Sequence, residues 1–312
     1  MGIPIKELLA DSVAARLALR VVAGAEGLGR EIETSRIQKP GLLLTGLLEE
    51  LHSDRVQILG AAEIGYLTSL DAADLERALG TLERARIPAV IVTRGIEPPA
   101  FLVELGDRNG IPVLASSHTS SVLIDRLTKF LEERLAPVTT LHGVFMDVLG
   151  VGILVLGKSG IGKSECALDL ISRGHRLVAD DVVVIKRMPP SVLFGTAVDL
   201  SRYHMEVRGL GIVNIKDLFG ITAIRERKQM DIVVELVRWD PAGEYERIGL
   251  EEMSYEILGV ELPYFVVPVS PGRSIATIVE VAARNQILKI MGYNSAREFA
   301  RRLNKRLVRS GR

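Results

Sequence analysis

The feature that most constrains the fold is a passage from a short apolar run into a glycine-rich loop and then into a helix-forming segment. Residues 150–174 read GVGILVLGKSGIGKSECALDLISRG. The run Ile153 to Leu156 predicts a buried strand. The loop that follows, Gly157-Lys158-Ser159-Gly160-Ile161-Gly162-Lys163-Ser164, has the form G-x-x-x-x-G-K-S of the phosphate-binding P-loop, in the strand–loop–helix setting that the motif requires. Its glycines let the backbone wrap closely enough for N–H groups to face phosphate oxygens. Lys163 brings a cation to the β- and γ-phosphates, Ser164 offers a hydroxyl to Mg²⁺, and the helix start adds the positive end of its dipole. A nucleoside triphosphate is the expected ligand.

Length and composition set bounds on the remainder. The 312 residues suffice for about two domains of ordinary size, each burying its own core. The formal net charge is zero, so no global field draws the chain to nucleic acid or to an anionic membrane, and neither is expected as a partner. One cysteine, Cys166, excludes an intrachain disulfide and suits a reducing cytoplasm. It reads as a small buried filler rather than a nucleophile. No stretch has the length of a membrane span, and MGIPIKELLADSV lacks a signal-peptide pattern. A Met1-Gly2 start would suit myristoylation, but Lys6 stands where Ser or Thr is needed. The expectation is a soluble, cytoplasmic protein.

The first block, 1–134, alternates strand and helix signals. Arg55–Leu59, Ile87–Thr93 and Ile111–Leu114 read as strands. Asp71–Arg86, about Pro98–Arg108 and Ser120–Leu135 read as helices. Repeated βα units with apolar strands predict an α/β fold with a small parallel sheet. The segment Gly41-Leu-Leu-Leu-Thr-Gly46 reads as a turn between packed elements rather than a ligand loop. Ala136–Thr140 reads as a linker, and 135–312 as the second domain. There, Leu141–Val148 predicts a strand joined through Gly150-Val-Gly152 to the P-loop strand, giving it an antiparallel neighbour. Gly174 predicts a helix C-cap, Pro189-Pro190 a turn, Asp231–Arg238 and Tyr264–Val269 strands, and Ile275 onward a final helical run.

The pair Asp180-Asp181, between the β-rich runs Arg176–Ala179 and Val182–Lys186, is the second informative feature. In an extended segment adjacent acids point to opposite faces, so one can serve a phosphate site while the other makes structural or metal contacts. A carboxylate there can accept the proton of an attacking hydroxyl, and nearby negative charge would raise its pKa. Adjacent acids are also an ordinary turn signal. Among five histidines His142 stands out by its place on the strand expected beside the P-loop strand; the others lack zinc-ligand spacing, so a metal should be Mg²⁺ or Mn²⁺ held by oxygens. Asp217-Leu-Phe-Gly220 fits D-x-x-G, but Asn214-Ile-Lys-Asp217 is not N-K-x-D, and the protein-kinase motifs are missing. The arginine-rich run Arg297–Arg312 reads as a solvated helix face.

The segment Glu206-Val-Arg-Gly-Leu-Gly-Ile-Val-Asn-Ile-Lys-Asp-Leu-Phe-Gly220, together with the P-loop, resembles the HPr kinase/phosphorylase family. The likeness runs through LHGVFMDVLGVGILVLGKSGIGKSE, RGHRLVADDVVV, the Pro268–Arg273 loop and MGYNSAREF. It reaches the first block at KPGLLLTG and RIPAVIVT. The resemblance implies an enzyme that uses ATP to phosphorylate a serine of the phosphocarrier protein HPr, or of an HPr-like paralogue. It also implies the reverse step by phosphorolysis, with inorganic phosphate consumed and pyrophosphate released, in the regulation of bacterial carbon metabolism. It assigns Asp181 as proton acceptor in one direction and donor in the other, and His142, Lys163 and Arg247 as catalytic. Residues 157–164 would hold ATP, and Ser164 and Glu206 the Mg²⁺. Residues 205–214 would serve both reactions and Pro268–Arg273 chiefly dephosphorylation. It further implies a second domain of phosphoenolpyruvate carboxykinase-like architecture, a regulatory or assembly role for the first, and a homohexamer. Lys158 is a variable loop position that bears on nucleotide affinity. Two other uses of the cradle stay open: a nucleotide-dependent switch without transfer, and a small-molecule kinase. The Asp pair favours transfer, and EVRGLG favours a protein substrate.

Overall fold

The computed structural model describes residues 2–45, 52–240, 253–270 and 272–310, and the chain divides into two compact units, 1–136 and 137–312. In the first, five strands lie in the order Leu19–Ala23, Val113–Ser116, Val90–Val92, Val56–Leu59, Ile37–Gln38. The last four run parallel, and the three in the middle are buried at every residue. Burial on both faces follows from helices on both. Leu123, Leu127 and Leu131 of helix Ser120–Leu135 cover Ile58, Ile91 and Leu114. Leu67, Leu82, Leu102 and Leu105 of three other helices cover Leu59, Val90 and Val92. Alternate strand residues thus feed the two cores, as the two-residue period requires.

One edge departs from the expected parallel sheet, because Leu19–Ala23 pairs antiparallel with Val113–Ser116. Helix Asp11–Leu17 ends at Ala18 in the left-handed region (φ 50°) and passes straight into this strand, so no crossover helix reverses the direction. The Gly41–Thr45 segment is a 3₁₀ turn with Leu43 and Leu44 buried; Gly46 lies outside the described residues.

The second unit has three layers. Its six-stranded sheet has the order Arg176–Ala179, Val144–Val148, Val151–Gly157, Ile232–Arg238, Val260–Val269, Met253–Ile257. Val151–Gly157 is antiparallel to Val144–Val148 and parallel to Ile232–Arg238. Helices Lys163–Ser172 and Ile275–Ile290 cover one face through Ala167, Leu170, Ala276 and Val279 against Ile153, Val155 and Val234. The other face, Phe145, Leu154 and Leu156, packs with Val183, Ile185 and Leu193 of an antiparallel four-stranded sheet ordered Arg227–Gln229, Val192–Ala197, Val182–Met188, Val138–His142. A strand buried between two layers has to be apolar throughout, which accounts for Val-Gly-Ile-Leu-Val-Leu at the P-loop.

Residues 138–140 are not linker but the start of strand Val138–His142, paired with Val182–Met188. The expected strand Leu141–Val148 is therefore two strands in different sheets, parted at Gly143. A Cβ on Gly143 would stand 2.7 Å from the Val155 carbonyl oxygen, so only glycine lets the chain cross there. His142 accordingly ends a strand of the four-stranded sheet instead of beginning the one beside the P-loop strand. The hairpin into the P-loop strand turns at Leu149-Gly150, both with positive φ (55° and 87°), as a two-residue primed turn demands, and Gly152 lies within the strand. The final run is two helices, Ile275–Ile290 and Ser295–Ser310, separated where Gly292 takes φ 87°. Among the described residues no helix is long and apolar enough to cross a membrane.

Candidate active site

Strand directions bring the informative residues to one sheet edge. Arg176–Ala179 and Val151–Gly157 are each antiparallel to Val144–Val148, so their carboxyl ends, which carry Asp180 and the P-loop, face the same way with one strand between. Open α/β sheets bind ligands at this end of their strands. Gly157 leaves the strand at φ 140°, with its Cα so near the Leu236 carbonyl that a Cβ would stand 2.6 Å from it. Ile161 packs on the core below while Lys158, Ser159 and Gly160 are exposed. The loop is thus anchored by one apolar side chain and otherwise presents backbone.

Helix Lys163–Ser172 starts at Gly162, whose φ of 106° suits glycine, and no side chain caps it. Its far end is closed by Gly174 at φ 90°, with Gly174 N–H donating to Ile171 and His175 N–H to Leu170, a Schellman ending. Lys163 Nζ donates to the carbonyls of Gly157 and Lys158, at 2.9 and 3.2 Å, which holds the ammonium against the loop. Cys166, one turn on, is buried, and burial pushes its thiol up to about 12, which suits the filler and not a nucleophile.

Asp180 and Asp181 differ in almost every respect. Asp180 is buried. Its Oδ1 accepts from the Ser164 hydroxyl at 3.1 Å and its Oδ2 from the Glu206 N–H at 3.3 Å. One carboxylate therefore ties the P-loop helix to the hairpin formed by His204–Val207 and Gly211–Asn214. Burial holds its pKa above the ordinary value; the donated hydrogen bonds oppose this, and the Asp181 charge adds the smallest push. Asp181 is inverted relative to it. Val182 N–H donates to the Asp180 carbonyl at 2.9 Å around Asp181 at φ 65°, a tight three-residue turn of the rarer, strained hand. The inversion swings the Asp181 side chain outward, 82% exposed, with Oδ1 3.6 Å from His142 Nδ1. Gly143 N–H donates to the Asp181 carbonyl at 2.9 Å and fixes the two residues across the seam between the sheets.

The structure thus connects Ser164, Asp180 and the Glu206 backbone, holds Lys163 against the loop, and sets Asp181 beside His142. Arg247 lies outside the described residues, as does Pro271 of the Pro268–Arg273 segment, whose first two residues end strand Val260–Val269. Asp217 belongs to a one-turn helix, Ile215–Phe219, with Asn214 capping its N–H groups, so the D-x-x-G match is a helix start. The role of Asp180 as the junction was not legible, since in sequence either acid could face inward.

The oxygen donors suit a hard divalent ion. Asp180 fixes the Ser164 hydroxyl and the Glu206 backbone in one network, yet no group of three or more His, Cys, Asp or Glu among the described residues forms a cage. Such oxygens would fit Mg²⁺, which takes one or two protein oxygens and completes its shell with phosphate and water.

Comparison with known proteins identifies the family. The family model for the HPr serine kinase N terminus matches residues 3–131, and that for the HPr serine kinase C-terminal domain matches residues 133–303. The chain is 54% identical over 307 residues to the HPr kinase/phosphorylase of Geobacter sulfurreducens, covering 98% of this chain and 96% of that protein. It is 45% identical over 305 residues to that of Leptospira biflexa, covering 97% and 94%. A solved HPr(Ser) kinase/phosphatase from Coxiella burnetii shares 32% identity with a TM-score of 0.47, covering 52% of this chain and 98% of that one. With both models matched in tandem and the likeness running nearly end to end, the chain whose P-loop and acidic pair share one sheet edge belongs to the HPr serine kinase family.

Proposed function

We propose that this protein transfers the γ-phosphoryl group of ATP to a serine of HPr, or an HPr-like paralogue, and reverses the transfer by phosphorolysis. The observation that carries the reading is the seating of an exposed carboxylate, Asp181, beside His142 at the edge that holds the P-loop. Lys163 and the uncapped N–H groups of its helix receive the phosphates. The serine hydroxyl attacks the γ-phosphorus, the new O–P bond forms as the bond to the β,γ-bridging oxygen breaks, and ADP leaves. Asp181 takes the serine proton, and His142 stands where it can steady the carboxylate. In reverse, an oxygen of inorganic phosphate attacks the phosphoserine phosphorus, the serine O–P bond breaks, Asp181 returns the proton, and pyrophosphate forms. Ser164 and Glu206 would hold Mg²⁺, with Mn²⁺ a substitute; the bound ion would offset phosphate charge. Asp180 stays in place as the tie between them.

Arg247 would act as a catalytic or substrate-positioning cation, and Pro268–Arg273 would serve chiefly dephosphorylation. The mixed sheet, with an antiparallel strand on one side of the P-loop strand, supports a phosphoenolpyruvate carboxykinase-like architecture for the second unit. A cytoplasmic homohexamer, with the first unit in a regulatory or assembly role, completes the reading; exposed Ile290, Met291 and Phe299 offer apolar surface for assembly, which sedimentation would test. The deciding experiment is transfer from γ-labelled ATP to purified HPr with Mg²⁺, followed by excess phosphate. Labelled HPr that then releases its label as pyrophosphate is the expected result. Bound ATP with no labelled HPr would overturn it.

A further inference from the structure

The arginine that ends the P-loop helix is bound more completely than a helix end requires. Arg173 has all five of its N–H donors in use. Its Nε and Nη2 donate to the Asp169 carboxylate one turn back, at 3.0 and 2.9 Å. Its Nη1 donates to Glu280 Oε2 at 2.9 Å and to Thr277 Oγ1 at 3.0 Å, and Nη2 also reaches Ser274 Oγ at 3.3 Å. Glu280 is held in turn by the buried His175, whose Nε2 lies 3.0 Å from Oε1. Ser274 caps helix Ile275–Ile290, and Thr277 and Glu280 follow at three-residue steps, so one guanidinium grips the cap and the first two turns.

What the grip holds is the rear of the Pro268–Arg273 segment. The front is fixed by main chain, since Val269 ends a strand and its carbonyl accepts the Trp239 N–H at 3.0 Å. Towards the rear, Arg273 N–H donates to the Ser270 carbonyl at 3.3 Å, Gly272 takes φ 81°, and Ser274 Oγ accepts the Thr277 N–H at 3.3 Å to start the helix. The next side chain, Ile275, packs at the P-loop: a Cβ built on Gly162 would stand 3.6 Å from Ile275 Cδ1. The rear of the segment is thereby located against the nucleotide loop twice, by Ile275 at Gly162 and by Arg173 at Ser274.

We infer that Arg173 is a positioning residue: by clamping Ser274 it sets the Pro268–Arg273 segment against the P-loop, and its loss falls on phosphorolysis far more than on phosphorylation. This rests on the reading above, in which that segment serves chiefly dephosphorylation. The physical reason is tethering. The phosphoryl group of ATP arrives attached to a nucleotide that the loop holds. Inorganic phosphate has no such handle, so protein groups alone must orient it, and a displacement of about 1 Å can cost about 10²-fold in rate.

The test uses the full chain and the variants R173A, R173K, S274A and V279A, each assayed in both directions. In R173A the ratio of phosphorolysis to phosphorylation should fall by about 10-fold or more, with the KM for inorganic phosphate raised and that for ATP unchanged. S274A should move the ratio the same way, and R173A/S274A should fall no further than R173A, because both remove one contact. R173K keeps a charge for Glu280 without the fork and should lie between wild type and R173A. V279A removes buried apolar volume from the same helix; it should lower stability and leave the ratio alone. A wild-type ratio in R173A would overturn the inference, and so would an equal shift in V279A, which marks a merely structural prop. Should R173A fail to fold, R173K and S274A decide the ratio. A wild-type chain that releases no pyrophosphate from phosphorylated HPr overturns the reading above, and this inference with it.

Discussion

Each unit contains a strand that runs through glycine into a helix, and only in the first does a carboxylate of the helix itself meet the N–H of the glycine at its entry. In the first unit Val56–Leu59 passes through Gly60 into Ala61–Ser69, and the Glu63 carboxylate folds back to accept the Gly60 N–H at 2.9 Å. Lys39 pairs with the same carboxylate at 3.2 Å, so the junction is closed by the chain's own charges. In the second unit Val151–Gly157 passes into Lys163–Ser172 with no side-chain cap, and the nearest hydroxyl, Ser164, is drawn to Asp180 instead. An entry N–H met by the chain's own carboxylate contributes to stability. One left open waits for an anion.

The largest effects are expected at the open junction. Asp181→Asn should reduce transfer in both directions by about 10²–10⁴-fold while ATP still binds; measurable phosphorylation of HPr by this variant would sink the proton-acceptor assignment. Lys163→Ala should cost about 10²–10³ in rate, read in a single-turnover assay, because one preorganised charge stabiliser is lost. On the closed side Glu63→Ala should lower unfolding stability by about 1 kcal/mol in urea titration and leave phosphate transfer as it was. An activity loss there would mean that the first junction also serves the reaction.

Smaller effects sharpen the contrast. Asp180 has a folded pKa above the ordinary 3.8, chiefly through burial, so the folded chain binds this proton more tightly than the unfolded one. Stability should therefore decline as pH rises from about 3.8 through the folded value, and Asp180→Asn should lack that component in melts across the acid range. A variant with the wild-type slope would show that the burial cost is met elsewhere. Least of all, Cys166, with its thiol at about 12, should resist iodoacetamide at neutral pH in the native chain and react on unfolding.

Much of this was legible in sequence because it depends on local chemistry. The P-loop, its flanking strand and helix, the Gly174 ending and the buried cysteine each follow from residues within a few positions of one another. What was not legible depends on where sheets part. Nothing near Gly143 says that His142 and Val144 belong to different sheets; the reason is the Val155 carbonyl, twelve positions on. The antiparallel edge Leu19–Ala23 was hidden because its pattern alternates weakly, half-buried against one neighbour. Asp180 and Asp181 were recognised as a pair, but their division into an inward tie and an outward, exposed carboxylate is set by one backbone inversion that no residue type announces.

That inversion has a consequence for how such a site tolerates change. His142 and Asp181 are mostly solvent-exposed, so side-chain packing contributes little to their spacing. Their separation is ruled by peptide geometry: two strands leave one sheet for another side by side, stitched by the Gly143 to Asp181 hydrogen bond. The surrounding surface can therefore be redrawn while the backbone that carries these two side chains keeps its place. On the reading proposed above, a chemistry that runs both ways would be carried on the seam of the fold, with recognition left free to drift around it.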